Sequence, residues 1–116
     1  MASARFDDEG LDGGAHIVAV SGELDATTVG GLRRRLDDAL ADDHPRVIVD
    51  LSGVAHMDSS GLAVLLTAYQ RAASLHGDIA LVVTSDSLRR MFQIRGVDAL
   101  FTLTATREEA RAALAQ

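Results

Sequence analysis

The spacing of apolar residues changes once, near residue 58, and that change organises the middle of the chain. Val47-Ile48-Val49-Asp50-Leu51 is a short apolar run rich in β-branched residues, the pattern of a strand covered on both faces. A short loop is expected from Ser52 to Met57. From Gly61 to Ser74 the apolar residues Leu62, Leu65, Leu66, Tyr69, Ala72 and Ala73 recur every three or four positions, which is one face of a helix. Asp58, Ser59 and Ser60 stand between the two patterns. A helix start needs side-chain oxygens there, because its first backbone N–H groups have no partner within the helix.

The same reading extends to both ends. Arg5 to Asp8 is a short edge strand, turned by Asp12-Gly13-Gly14 into a second strand over His16 to Ser21. Asp25 is placed to cap a helix running to Leu40, with Val29, Leu32, Leu36, Ala39 and Leu40 inward and Arg33, Arg34, Asp37 and Asp38 toward water. Pro45 ends that stretch, since proline disfavours a helical residue before it. His76-Gly77 closes the central helix, and Ile79 to Val83 is another buried strand. Ser85 or Ser87 then caps a short helix that turns Leu88, Met91, Phe92 and Ile94 inward and stops at Gly96. Ala99 to Leu103 is the last strand. Thr106-Arg107-Glu108-Glu109 has the reciprocal capping pattern and opens a helix toward Leu114. A hairpin followed by alternating helix and strand predicts an α/β sandwich as one domain over 1–116. Its central sheet is mixed and mostly parallel, with an antiparallel N-terminal hairpin, right-handed crossovers and about four helices.

Composition narrows the function. The chain has 116 residues, 47% hydrophobic and 24% charged, enough for a single soluble domain with its own core. It contains no cysteine, which removes disulfides, thiol catalysis and cysteine-based metal sites and agrees with a reducing compartment. Met1 to Glu9 lacks the apolar core of a signal peptide, and no apolar stretch approaches the roughly 18 to 20 residues that cross a bilayer. A cytoplasmic protein with no membrane partner is expected. The net charge of −6 and the near absence of aromatic residues argue against a nucleic-acid partner. All 11 basic residues are arginine, so lysine-based Schiff chemistry and a phosphate-loop lysine do not arise.

The candidate chemistry is a hydroxyl. A serine at the mouth of the central helix is held rigidly near a positive helix end, which suits a phosphate. Ser59 and Ser60 could equally be helix caps, and Asp58 and Asp25 could be caps, contacts or both. His16, His44, His56 and His76 are scattered without metal-site spacing, so no metal or cofactor is expected. A serine-hydrolase reading lacks a marked base and oxyanion hole, and the glycine two residues before the nucleophile is missing. A phosphoaspartate reading of Asp50 or Asp58 lacks the accompanying acidic pair and lysine. The chain is not expected to be an enzyme.

Three blocks carry a family resemblance: Gly22-Glu23-Leu24-Asp25; Val47 through Met57-Asp58-Ser59-Ser60-Gly61-Leu62; and Leu88 through Gly96-Val97. Over nearly its whole length the chain resembles a STAS domain of the anti-sigma factor antagonist type. The resemblance implies partner switching, in which the unphosphorylated antagonist binds an anti-sigma factor and frees the sigma factor. That anti-sigma factor is also a serine kinase, phosphorylation releases the antagonist, and a serine phosphatase resets it. The family's phosphorylated serine follows the motif aspartate and corresponds to Ser59. Asp25, Asp58, Ser60, Gly61 and Leu62 match positions at or beside the partner surface. His56 stands where the family often has a bulky apolar or aromatic residue. The resemblance also admits a STAS subunit of a signalling scaffold or transporter complex, with no phosphorylation cycle. A monomer is expected.

Overall fold

A computed structural model describes residues 3–11 and 15–114. The strands are β1 (Ala4–Gly10), β2 (Ala15–Leu24), β3 (Arg46–Met57), β4 (Asp78–Val82) and β5 (Thr102–Thr104). The helices are α1 (Val29–Ala39), α2 (Ser59–Ser74), α3 (Asp86–Ile94) and α4 (Arg107–Leu114). The sheet order is β1-β2-β3-β4-β5, with β1 antiparallel to β2 and every later neighbour parallel. The expected fold class therefore stands. The hairpin turn assigned to Asp12-Gly13-Gly14 lies outside the described residues.

Helices cover both faces of the sheet. On one face Val47, Val49 and Leu51 of β3 pack with Leu32 and Leu36 of α1, Leu65 and Ala68 of α2, and Leu88 and Phe92 of α3. On the other, Ile48, Ala80 and Val82 pack with Ala110 and Leu114 of α4. Alternate residues of β3 thus feed two cores, which is why its sequence is apolar without interruption. Asp50, on the α4 face, is the buried exception at 7% exposure. It meets Arg107 at the start of α4, where Nε lies 2.6 Å from Oδ2, and it accepts a 2.9 Å bond from Ser52 N. Burial pushes the Asp50 carboxyl up, but the hydrogen bonds from Ser52 and Arg107, with the guanidinium charge, outweigh it and hold the pKa below the ordinary value.

Several expectations are corrected. The segment expected as a loop, Ser52 to Met57, continues β3. It escapes the period of two because β3 gains a residue on β2 twice. Ala19 and Ser21 pair with Asp50 and Gly53, and Gly22 and Glu23 with Val54 and His56. Each step is a bulge. The inward residues therefore run Leu51, Val54, Met57. Helix α1 starts at Val29 rather than beside Asp25, because residues 26–28 form a turn first. Ile94 is 76% exposed instead of inward, Ala73 is exposed, and Val64 and Ala68 join the buried stripe of α2. The last strand begins at Thr102, not Ala99.

The caps agree with side-chain chemistry. Ser85 accepts from Leu88 N at the start of α3, and Thr106 accepts from Glu109 N while Glu109 accepts from Ala105 N at the start of α4. Gly96 adopts φ +72° just past α3, a conformation in which glycine avoids a Cβ clash.

Candidate functional site at the start of α2

Parallel strands place their C-terminal ends together, and ligand sites of such sheets collect along that edge. Here β2 and β3 finish as register partners, Leu24 beside Met57, and Asp58 N donates to Leu24 O at 3.0 Å. The chain therefore leaves β2 at Asp25 and β3 at Asp58 side by side. Just upstream, Glu23 and His56 are also register partners, and both are exposed.

Asp58 is the N-cap of α2. Its backbone is extended, and Oδ1 accepts from Ser60 N at 2.8 Å and from Gly61 N at a longer 3.4 Å. The cap is thus the aspartate. Ser59 and Ser60, considered for that role, are instead the first two helical residues. Ser59 is exposed, and its hydroxyl makes no hydrogen bond among the described residues. Ser60 is half-buried.

The turn is anchored from below. Met57 before it and Leu62 after it are buried at 3% and 6% exposure. Gly61 is required by close approach. A Cβ there would stand 2.6 Å from Met57 Cγ, 2.8 Å from Met57 Sδ and 3.2 Å from Leu24 Cβ. Gly61 and Leu62, matched to a partner surface by resemblance, are therefore buried and pack inward. Packed in this way they anchor the turn on which Ser59 stands.

Asp25 builds the adjoining rim. Its Oδ1 accepts from Thr27 Oγ1 at 2.7 Å, Thr27 N at 2.9 Å and Thr28 N at 3.2 Å. Thr28 Oγ1 in turn donates to Glu23 O at 2.7 Å. The Thr27 hydroxyl, then the Thr27 amide, hold the Asp25 carboxyl below the usual carboxylate range, so it is ionised at neutral pH. Sequence reasoning placed Asp25 but passed over Thr27 and Thr28, although an aspartate whose carboxylate can accept from the amides two and three residues on is a side-chain turn signal. The result is a pair of carboxylates, Asp25 and Asp58, at adjoining strand ends beside the exposed Ser59 hydroxyl, with exposed Glu23 just upstream on β2. Among the described residues no group of three or more His, Cys, Asp or Glu side chains is arranged to hold a metal ion.

The family model for the STAS domain matches residues 10–110. The chain belongs to the STAS family. An anti-sigma-B factor antagonist of Listeria monocytogenes is 31% identical over 80 residues, 69% of this chain and 70% of that protein. The crystal structure of an anti-sigma factor antagonist from Mycobacterium paratuberculosis superposes with a TM-score of 0.88 at 30% identity, covering 98% of this chain and 96% of that one. A murine Slc26a9 anion transporter shares the fold at a TM-score of 0.76 and 16% identity, but this chain spans only 22% of it. That last likeness concerns fold alone. Relatives of this STAS domain are thus named anti-sigma factor antagonists, which are regulators. No helix among the described residues is long and apolar enough to cross a membrane.

Proposed function

We propose that this STAS domain is an anti-sigma factor antagonist switched at Ser59. Its unphosphorylated form binds an anti-sigma factor with serine kinase activity and frees the sigma factor. Transfer of the γ-phosphoryl group from ATP to Ser59 Oγ, with loss of the hydroxyl proton and release of ADP, ends the interaction. A serine phosphatase hydrolyses the phosphoserine and restores binding. The observation that carries this reading is the exposed, unbonded Ser59 hydroxyl on the first turn of α2, directly after the capping carboxylate of Asp58.

The physics of the switch is local. A phosphoserine adds roughly −1.5 to −2 charge. At a helix N-terminus that charge is stabilised by about 0.3–1 kcal/mol, so the fold is kept. Asp58 and Asp25 already make the rim acidic. A partner face shaped for a small hydroxyl then meets added bulk and concentrated like charge. Each 1.4 kcal/mol lost there weakens binding about tenfold.

Incubation with the anti-sigma factor and ATP tests the reading, with intact mass as the readout. One phosphate mapped to Ser59 and absent in Ser59→Ala is the expected result. Amide NMR spectra of the phosphorylated form should shift only around residues 23–28 and 56–63. Modification elsewhere, or shifts across the whole sheet, would refute a local switch at Ser59.

A further inference from the structure

Helices α1 and α2 follow neighbouring parallel strands and return along the same face of the sheet, so both start at the Ser59 edge. They do not close completely on each other. A groove of about 160 Å³ lies between them, with Leu36, Leu40, Val64 and Ala68 as its apolar floor. The Arg71–Asp37 ion pair, 3.1 Å, bridges the two helices on the side away from Ser59. Arg33 and Ala63, both exposed, line the groove toward the Ser59 end. Arg33 has no acidic side-chain partner among the described residues, since Asp37, one turn on, is engaged by Arg71.

Three observations say what covers this groove. The first is position: Ser59, Ala63 and Thr67 are all exposed at four-residue spacing on α2, forming a continuous stripe from the hydroxyl into the groove. At 1.5 Å rise per residue, Ala63 is about 6 Å and Thr67 about 12 Å along the axis from Ser59. A stable protein interface covers roughly 800 Å² per partner, a patch about 16 Å in radius, so one centred on Ser59 reaches the groove. The second is volume. A cavity of about 150 Å³ lined by aliphatic side chains holds a benzene ring, so this groove has room for one large apolar side chain. The third is charge. The strand ends beside Ser59 carry Asp25 and Asp58, whereas the groove mouth carries Arg33, a cation with no acidic partner among the described residues.

We propose that the α1–α2 groove is a second anchor point for the anti-sigma factor, taking an aliphatic or aromatic side chain of that partner with a neighbouring carboxylate set on Arg33. The inference rests on the antagonist reading of Ser59. It adds a partner chemistry: cationic opposite the Ser59 rim and acidic opposite Arg33. Two opposite charges at two points fix the orientation of docking, and the seated apolar side chain supplies affinity away from the phosphate.

The test titrates the anti-sigma factor, with ADP in place of ATP so that Ser59 stays unmodified, into wild type and five variants by calorimetry. Ser59→Asp reports on the parent reading. Arg33→Glu and Ala63→Trp probe the groove, and both change exposed helix positions, with thermal melts confirming the fold. Arg33→Lys should retain most of the affinity. Arg111→Glu on α4, across the sheet, should leave it unchanged. The expected result is at least a tenfold loss for Ser59→Asp, Arg33→Glu and Ala63→Trp alike. If Ser59→Asp weakens binding while both groove variants stay within twofold of wild type, the groove proposal is overturned and the Ser59 reading stands. If Ser59→Asp binds like wild type, both fall. An Arg33-dependent dimer of this chain, seen by sedimentation without the partner, would also overturn it.

Discussion

The Asp50–Arg107 pair predicts an asymmetry that can be measured. The Asp50 side chain is 9% exposed, whereas Arg107 is 43% exposed. Removing the acid leaves a guanidinium that can turn to water or toward Glu9, 3.9 Å away. Removing the arginine strands a buried carboxylate with only Ser52, through its amide and its side chain, for support. Exposed pairs contribute up to about 1 kcal/mol, and breaking a buried pair costs about 3–5 kcal/mol. Asp50→Asn should therefore cost about 1–2 kcal/mol, because Asn Oδ1 can still accept from Ser52. Arg107→Met should cost about 3 kcal/mol, or roughly 12 °C in Tm at about 4 °C per kcal/mol for a domain of this size. The pH dependence has a defined sign. The Asp50 pKa is lowered in the folded state, so the stabilisation is full above the unfolded-state value of about 3.9 and is lost as pH falls through the folded value. The gap between wild type and Arg107→Met should thus be widest at pH 6–7 and narrow below about pH 4. Urea unfolding at a series of pH values provides the comparison. A gap independent of pH, or Asp50→Asn more damaging than Arg107→Met, would refute the argument.

Two further substitutions probe the Ser59 turn itself. Asp58→Ala removes the acceptor for Ser60 N and Gly61 N and should cost about 1 kcal/mol of stability by thermal or urea unfolding, the usual worth of an N-cap; no loss would mean the cap is not formed in solution. Gly61→Ala should gain up to about 1 kcal/mol in helix propensity but lose about 1–3 kcal/mol to overpacking on Met57, a net destabilisation. In Gly61→Ala/Met57→Ala the new methyl occupies vacated space, so the double variant should be less destabilised than the sum of the singles by at least about 0.5 kcal/mol. Strict additivity would place the clash elsewhere.

Where local chemistry and packing agree, the sequence alone was legible. The β-branched run of β3, the stripes of α1 and α2 and the capping serine and threonine of α3 and α4 all carry their signal within a few residues. The misses share a cause, which is that their explanation lies in another part of the chain. Ser52 to Met57 resembles a loop because its inward residues are three apart. That spacing follows from β2 advancing more slowly than β3, which only the pairing reveals. Gly53 sits at the first bulge, where a Cβ would approach Ser21 Cβ to 2.9 Å. Ile94 continues the stripe of Leu88 and Met91 by spacing, yet it falls on the final residue of α3 and projects into water. At the site, residue order alone marked Asp58, Ser59 and Ser60 as a helix start, and the family resemblance singled out Ser59. The burial of Gly61 and Leu62 was not, because it depends on Met57 and Leu24 lying beneath them.

The two bulges also bear on how Ser59 is presented. A single extra residue in β3 would reverse the alternation of its side chains, turning Met57 out and Asp58 in. The second restores it, so Met57 enters the core and the next residue caps the helix. Buried Met57 on one side and buried Leu62 on the other then fix the turn at both ends, while Asp58 ties its amides from within. A turn constrained in this way has little conformational freedom to give up when a partner docks, and little to gain when a phosphate is added. In the proposed switch the two states would therefore differ in the charge and bulk at one fixed oxygen. On the proposed switch, discrimination by a partner would come from what it places opposite that oxygen, with Asp25 and Asp58 beside it raising the cost of any further negative charge.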